Sequence, residues 1–179
     1  MRSRSSWKVY EPVNPLDLYH GGEAPVKVPQ VVSPKDVRPL DFGSGFYTTT
    51  SRDQARKWIG IRLRQHAYET GCVTHFTVDR DAFAKLGLKV LAFNGPEEAW
   101  FDFVMDNRHT VGFSHDYDVV MGPVANDDVY ETLTLFEDGI ITKAEAIVRL
   151  KTYKLVDQVL FHTEAALKFL RFVDSEVVA

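Results

Sequence analysis

The chain has 179 residues, a usual length for one domain, so we expect a single domain over residues 1–179 with a loose N-terminal segment over residues 1–15. Hydrophobic residues make up 45% of the chain and charged residues 26%, which excludes a disordered, collagen-like or coiled-coil protein. The 21 Lys and Arg against 25 Asp and Glu give a net charge of −4, which predicts no general binding to nucleic-acid phosphates.

The first half of the chain combines a proline-rich stretch with one clear helix. Six of the eight prolines lie within the first forty residues, so that stretch cannot form one regular helix. A Thr50 or Ser51 cap followed by apolar residues at a helical period predicts a helix that ends at Gly71. The elements expected around it are a strand over 16–20, a surface loop over 21–40, and strands over 72–78 and 88–93.

In the second half, short strands alternate with capped helices. Pro96 suits the first turn of a helix that ends near Asn107, and residues 142–145 form a capping box. The remaining elements expected are a strand over 117–121, a helix from about 126 to 138, a helix from 142, a strand over 156–162 and a short helix from 163, before an apolar stretch over 170–178. Because no regular βα repeat emerges, we predict an α+β domain around a strongly bent or split β-sheet with flanking helices.

Several common sites are not supported. Gly43 and Gly45 lack the spacing of a dinucleotide- or phosphate-binding loop, and no Gly-x-Ser-x-Gly sequence occurs. The six histidines include no pair at i, i+4 with an acid between them, so we expect no metal site. The single cysteine, Cys72, favours a reducing, cytoplasmic location. No apolar run approaches 18 residues, which predicts no membrane span.

Three short segments remain as candidates for chemistry. In the first segment, a predicted strand ends at His20, which is followed directly by two glycines. In the second, Phe46 and Tyr47 follow Gly45. In the third, a predicted strand begins with Asp157 and Gln158. Taken alone, each has a plain structural explanation: a hydrogen-bonded histidine, core aromatics and a strand edge. Their order and spacing along the chain are more informative than any one segment alone.

Together these segments resemble a bacterial ADP-ribosyltransferase-like family, catalogued as a domain of unknown function and found near toxin-antitoxin operons. The resemblance covers roughly residues 17 to 172. Its marks are Leu18-Tyr19-His20-Gly21; Asp41-Phe42-Gly43-Ser44-Gly45-Phe46-Tyr47-Thr48-Thr49 with Gln54-Ala55 and Trp58; Trp100-Phe101-Asp102-Phe103-Val104 with Asn107-Arg108; residues 117–127; and Asp157-Gln158-Val159-Leu160-Phe161-His162-Thr163.

The layout is also similar to the His-Tyr-Glu branch that contains diphtheria toxin and the poly(ADP-ribose) polymerases, which implies an ADP-ribosyltransferase-like fold and NAD as the substrate. His20 then corresponds to the histidine that bonds the adenosine ribose of NAD. Tyr47 corresponds to the tyrosine that stacks on nicotinamide, and the Gly21 backbone to the group that grips the nicotinamide amide. The neighbouring Phe46 and Thr48 complete the expected contacts of this segment.

The third catalytic position departs from the pattern, because Gln158 stands where the resemblance leads us to expect Glu. Loss of nicotinamide leaves a positively charged, oxocarbenium-like ribose, which a carboxylate would stabilise and an amide would not. A charge-assisted hydrogen bond is about twice as strong as a neutral one, so we expect a rate lower by about a hundredfold or more. Asp157 points to the other face of the strand, and Glu164 lies about 20 Å further along a continuous strand, so neither is expected to replace the charge.

Asn107 and Arg108 leave two interpretations open. The guanidinium could hold the NAD pyrophosphate or an acid of the target, or the pair could simply cap the end of a helix.

The resemblance implies an NAD-dependent ADP-ribosyltransferase that modifies a protein or nucleic-acid acceptor and releases nicotinamide, in the role of a bacterial toxin restrained by an antitoxin protein. The alternative is a non-catalytic module that binds NAD, ADP-ribose or a protein partner, and Gln158 is the main argument for it. RNA 2′-phosphate transfer on the same fold is weaker, because basic residues are not concentrated.

Overall fold

Interleaved strands and helices form this α+β protein, which confirms the predicted fold class. The structure, a computed structural model, describes residues 14–31, 40–66, 69–79, 81–82, 86–110, 113–123 and 127–178. The strands are β1 (Leu16–Gly22), β2 (Phe46–Thr49), β3 (Gly71–Val78), β4 (Val90–Ala92), β5 (Val119–Pro123), β6 (Asp157–Phe161) and β7 (Arg171–Val178). The helices are α1 (Arg52–His66), α2 (Glu98–His109), α3 (Asp127–Glu137), α4 (Lys143–Leu150) and α5 (Glu164–Leu167).

The described strands form one sheet in the order β4-β5-β6-β2-β1-β3-β7. Its centre is its weakest connection: β1 pairs with β2 only at Tyr19 and Thr49, whereas β1 pairs with β3 at every residue from Leu16 to Gly22. We call the place where β1 and β2 part the seam. It divides the sheet into a β4-β5-β6-β2 half and a β1-β3-β7 half, which the Tyr19–Thr49 pair still joins into one continuous sheet.

Alternation along the strands places two cores on opposite faces of the sheet. One face, which we call the helix face, carries Leu160, and it packs against α2, α3 and α4 on one half of the sheet and α1 on the other. The opposite face carries Leu18, Phe46 and Phe161 and packs against α5. Loop residues Val26 and Val31 also pack on that opposite face.

Local signals fix several helix ends as predicted. The Thr142 hydroxyl accepts from the Glu145 backbone N–H, and the Glu145 carboxylate accepts from the Thr142 N–H, so the capping box of α4 is complete. The Thr163 hydroxyl accepts from the Ala166 backbone N–H and so caps α5. Gly139 follows α3 with φ of 71°, a left-handed conformation that favours glycine at a helix end.

Other boundaries differ from the prediction. α1 ends at His66, and Gly71 starts β3, where a Cβ would lie 2.3 Å from the Ile59 side chain; close helix packing explains this glycine. The strand predicted over 88–93 is only Val90–Ala92, because it lies at the sheet edge and pairs with β5 alone. The strand predicted over 117–121 is shifted to Val119–Pro123.

The apolar stretch at the end of the chain forms the edge strand β7. Residues 1–13 lie outside the described residues, so the loose N-terminal segment stays a prediction. Within the described ranges, no helix has both the length and the apolar character needed to cross a membrane.

Candidate functional site

His20 sits at the seam and links the two central strands. Its Nδ1 lies 2.8 Å from the Tyr47 carbonyl oxygen, so Nδ1 carries the proton and Nε2 is left as a hydrogen-bond acceptor. Its ring stacks on Phe46 at a centroid distance of 4.5 Å. Burial lowers the pKa of His20, although the bond to Tyr47 opposes this, and the imidazole is therefore neutral near pH 7.

Two glycines after His20 let other groups approach the seam. A Cβ at Gly21 would lie 2.7 Å from the Ala55 carbonyl oxygen, so only glycine allows α1 to pack this closely on β1. A Cβ at Gly22 would lie 3.1 Å from His20 Nε2, the acceptor atom. The glycine pair noted in the sequence thus brings a helix to the seam and leaves room beside the histidine.

Tyr47 is held rigidly on the helix face. Its hydroxyl donates to the Gly43 carbonyl oxygen at 2.7 Å and accepts from the Phe42 backbone N–H at 3.4 Å. Burial, with Asp41 nearby, raises the pKa of Tyr47, so the phenol stays protonated. Gly43 supports this arrangement with φ of 84° in the turn that receives the hydroxyl. The aromatic ring is therefore positioned before any ligand binds.

Gln158 is buried on the same face, with 5% of its surface exposed. It lies opposite Thr49 on β2 and Gly122 on β5. Tyr47 lies opposite Leu160, which makes Tyr47 and Gln158 diagonal neighbours at about 7–8 Å between Cα atoms. Gln158 Nε2 has no hydrogen-bond partner in the part of the chain that the structure describes. A buried donor left unsatisfied costs about 1–3 kcal/mol, so this amide is suited to meet an acceptor on a ligand.

The structure thus brings the three predicted site residues onto the adjacent strands β1, β2 and β6. Tyr47 and Gln158 share the helix face, while the His20 ring lies on the opposite face with Phe46. His20 contacts the Tyr47 backbone and not its ring. A ligand that reached all three side chains would therefore have to pass through the seam.

The other residues of the Tyr47 segment serve the fold. Phe46 is buried and packs edge-on against Phe76. The Thr48 hydroxyl donates to the Val159 carbonyl oxygen at 2.7 Å. Their predicted contact with a cofactor remains a prediction. Glu164, considered above as a source of charge, accepts from the Val31 backbone N–H at 3.0 Å and is engaged by the loop after β1.

Asn107 and Arg108 link α2 to the turn before β2. Asn107 Nδ2 donates to the Phe103 carbonyl oxygen of its own helix at 2.8 Å. Arg108 lies 3.2 Å from Asp41 and 3.6 Å from Glu137, with only 9% of its side chain exposed. Binding of pyrophosphate by this guanidinium stays a prediction, and it would have to compete with two internal carboxylates.

Trp58 lies on the flank of α1 opposite to the flank that faces β7. Arg52 and Arg56 both pair with Glu176 on β7, which fixes the flank of the helix that faces β7. At about 100° per residue, Trp58 and Gln54 project from the other flank, toward β2. Trp58 is 49% exposed. It was noted in the sequence only as part of the resemblance, since the direction of its side chain depends on how α1 docks.

Comparison with known proteins identifies the family of this chain. A family model described as a protein of unknown function (DUF3990) matches residues 16–172. The chain belongs to this family. No curated protein and no solved structure matches it. The family description names no activity, so any function has to be argued from the site itself.

Metal chemistry receives no support from the part of the chain described. No group of three or more His, Cys, Asp or Glu side chains there is arranged to hold a metal ion. The groups described near the seam are the neutral imidazole of His20, the aromatic rings of Phe46 and Tyr47, and the amide of Gln158.

Proposed function

We propose that this protein binds NAD at the seam and transfers ADP-ribose to a macromolecular acceptor, with release of nicotinamide. The observation that supports this most strongly is the bond from His20 to the Tyr47 carbonyl, together with the buried Gln158 Nε2 on the next strand, which has no partner among the described residues. The bond joins His20 and Tyr47, the residues that match the His and Tyr of the His-Tyr-Glu branch. The Gln158 amide supplies a polar group where that branch has Glu.

Each residue has a distinct role in the proposal. His20 Nε2 accepts a hydrogen bond from a ribose hydroxyl, because its other nitrogen is committed to the Tyr47 carbonyl. Tyr47 stacks on the nicotinamide ring, and Trp58 faces it from the flank of α1. Gln158 aligns the ribose that carries the breaking bond.

The reaction breaks the bond between ribose C1′ and the nicotinamide nitrogen, and the bonding electron pair leaves with neutral nicotinamide. An acceptor nucleophile then bonds to C1′ and loses its proton. Positive charge builds on the ribose in between, and the uncharged Gln158 offsets it poorly. The proposed enzyme is therefore slow.

A non-catalytic module that binds NAD or ADP-ribose is the second candidate, and the chemistry of Gln158 favours it. Its Nε2, which no described residue engages, is a donor suited to a lone pair on a bound ribose or phosphate, and an amide contributes no charge to the transition state. Restraint by an antitoxin protein and a cytoplasmic location are further proposals that rest on the sequence resemblance alone.

The test is incubation of the purified protein with NAD labelled in the adenosine part and, separately, in nicotinamide, with and without cell lysate. Label transfer or nicotinamide release that is lost in Tyr47→Ala supports the transferase. Binding of NAD without turnover supports the module, and absence of both overturns both candidates. Circular dichroism of each variant checks that it folds.

Gln158→Glu separates the two candidates further. Restoring the carboxylate is expected to raise turnover about a hundredfold, because the charge acts on the transition state. A fall in turnover would contradict the electrostatic argument. Gln30→Glu, which changes an exposed glutamine in the same way, is the matched control and should leave turnover unchanged.

A further inference from the structure

Tyr130 is linked to the candidate site through Arg108, although no sequence motif singles it out. It belongs to the first turn of α3, which begins four residues after β5 ends. β5 carries Gly122, the residue directly opposite Gln158. The chain thus runs from the strand that faces Gln158 into the first turn of α3. Tyr130 is 43% exposed, in contrast to Val129 and Leu133, which bury the inner side of the helix.

The ring of Tyr130 is held by a fixed cation. The Arg108 guanidinium carbon lies 4.3 Å from the ring centroid. Arg108 is itself fixed by Asp41 and Glu137. It therefore holds the Tyr130 ring in place through a cation–π contact. Asp41 is followed by Phe42, whose backbone N–H donates to the Tyr47 hydroxyl. The Arg108–Asp41 pair therefore links Tyr130 to the turn that holds Tyr47.

We infer that Tyr130 is a ligand-contact residue that stacks on a planar heteroaromatic ring of the bound dinucleotide. The inference rests on the proposed function. A tyrosine loses little conformational freedom on binding, because it has two side-chain torsions, and here Arg108 already restrains it. Both adenine and nicotinamide have the required chemistry, so the two ends of NAD are the two possible sources of the ring.

The expected size of the effect follows from stacking between bases and aromatic side chains. Loss of one such contact costs about 5- to 150-fold in affinity. Tyr130→Phe keeps the ring and should bind within about twofold of the wild type. Tyr130→Leu keeps an apolar side chain against Arg108 but has no ring, so it should bind as weakly as Tyr130→Ala.

The experiment is isothermal titration calorimetry of NAD, ADP-ribose and nicotinamide mononucleotide into the wild type, these variants and Val148→Ala. Val148 is an exposed residue of α4 and should have no effect. Loss of affinity for ADP-ribose in Tyr130→Leu would place adenine on Tyr130, and loss for the mononucleotide would place nicotinamide there. Unchanged affinities in both Tyr130→Ala and Tyr130→Leu would overturn the inference while leaving the proposed function intact. A wild type that binds none of the three compounds would overturn the proposed function itself.

Discussion

Replacing Gln158 with methionine is expected to stabilise the protein in the absence of a ligand. The side chain is 5% exposed, and its Nε2 has no partner within the described residues. Burying such a donor costs about 1–3 kcal/mol. Methionine is unbranched and of similar length, and it fills irregular space without a polar atom to satisfy. We therefore expect the free energy of unfolding to rise by about 1–2 kcal/mol.

For a chain of this length, each kcal/mol corresponds to about 2–4 °C in Tm. Urea unfolding and thermal melting without NAD measure the change. Gln30→Met, at an exposed position, is the matched control and should stay within about 0.5 kcal/mol of the wild type. In the presence of NAD, Gln158→Met should lose the ligand-dependent rise in Tm. A variant less stable than the wild type by 1 kcal/mol or more would show that the amide is satisfied in the folded protein, and the reasoning would fail.

Three further outcomes are expected. Arg108→Met should lower the free energy of unfolding in urea by about 3–5 kcal/mol, because it removes the cation that pairs with the buried carboxylate of Asp41. Gly21→Ala should cost about 1–3 kcal/mol in the same assay and weaken NAD binding, since its Cβ would meet a backbone carbonyl of α1, whereas Gly95→Ala, with open space around it, should do neither. Burial lowers the pKa of His162 from 6.5 to about 4. Between these pH values the unfolded chain binds one more proton than the folded protein, so the free energy of unfolding should fall by up to about 1.4 kcal/mol for each unit that the pH is lowered from 6.5 to 4. The same pH dependence of the urea midpoint in the wild type and in a His162→Asn variant would refute this.

Local chemistry explains which elements could be predicted from the sequence. The capping box at Thr142 and the cap at Thr163 depend on residues within one turn of the chain, and both are confirmed. The strand boundaries depend on partners that are distant in sequence. β4 is short because only β5 pairs with it, and the apolar stretch after Leu170 forms a strand because β3 is there to receive it.

In the candidate site too, some features follow from local sequence and others depend on residues distant in the chain. The histidine after the first strand and the tyrosine after the paired glycines could be selected from their order in the chain. The face on which each side chain lies depends on strand register, which places Tyr47 and Gln158 on one face of the sheet and His20 on the other. The acidic partners of Arg108 come from the turn before β2 and from α3, so no local pattern could reveal them.

A crystal structure of the protein with NAD bound would test the central proposal most directly. We expect the dinucleotide to thread the seam, with nicotinamide against Tyr47, the adjoining ribose within hydrogen-bond distance of Gln158, and an adenosine hydroxyl within reach of His20 Nε2. NAD found at another surface, with these three side chains untouched, would contradict the proposal.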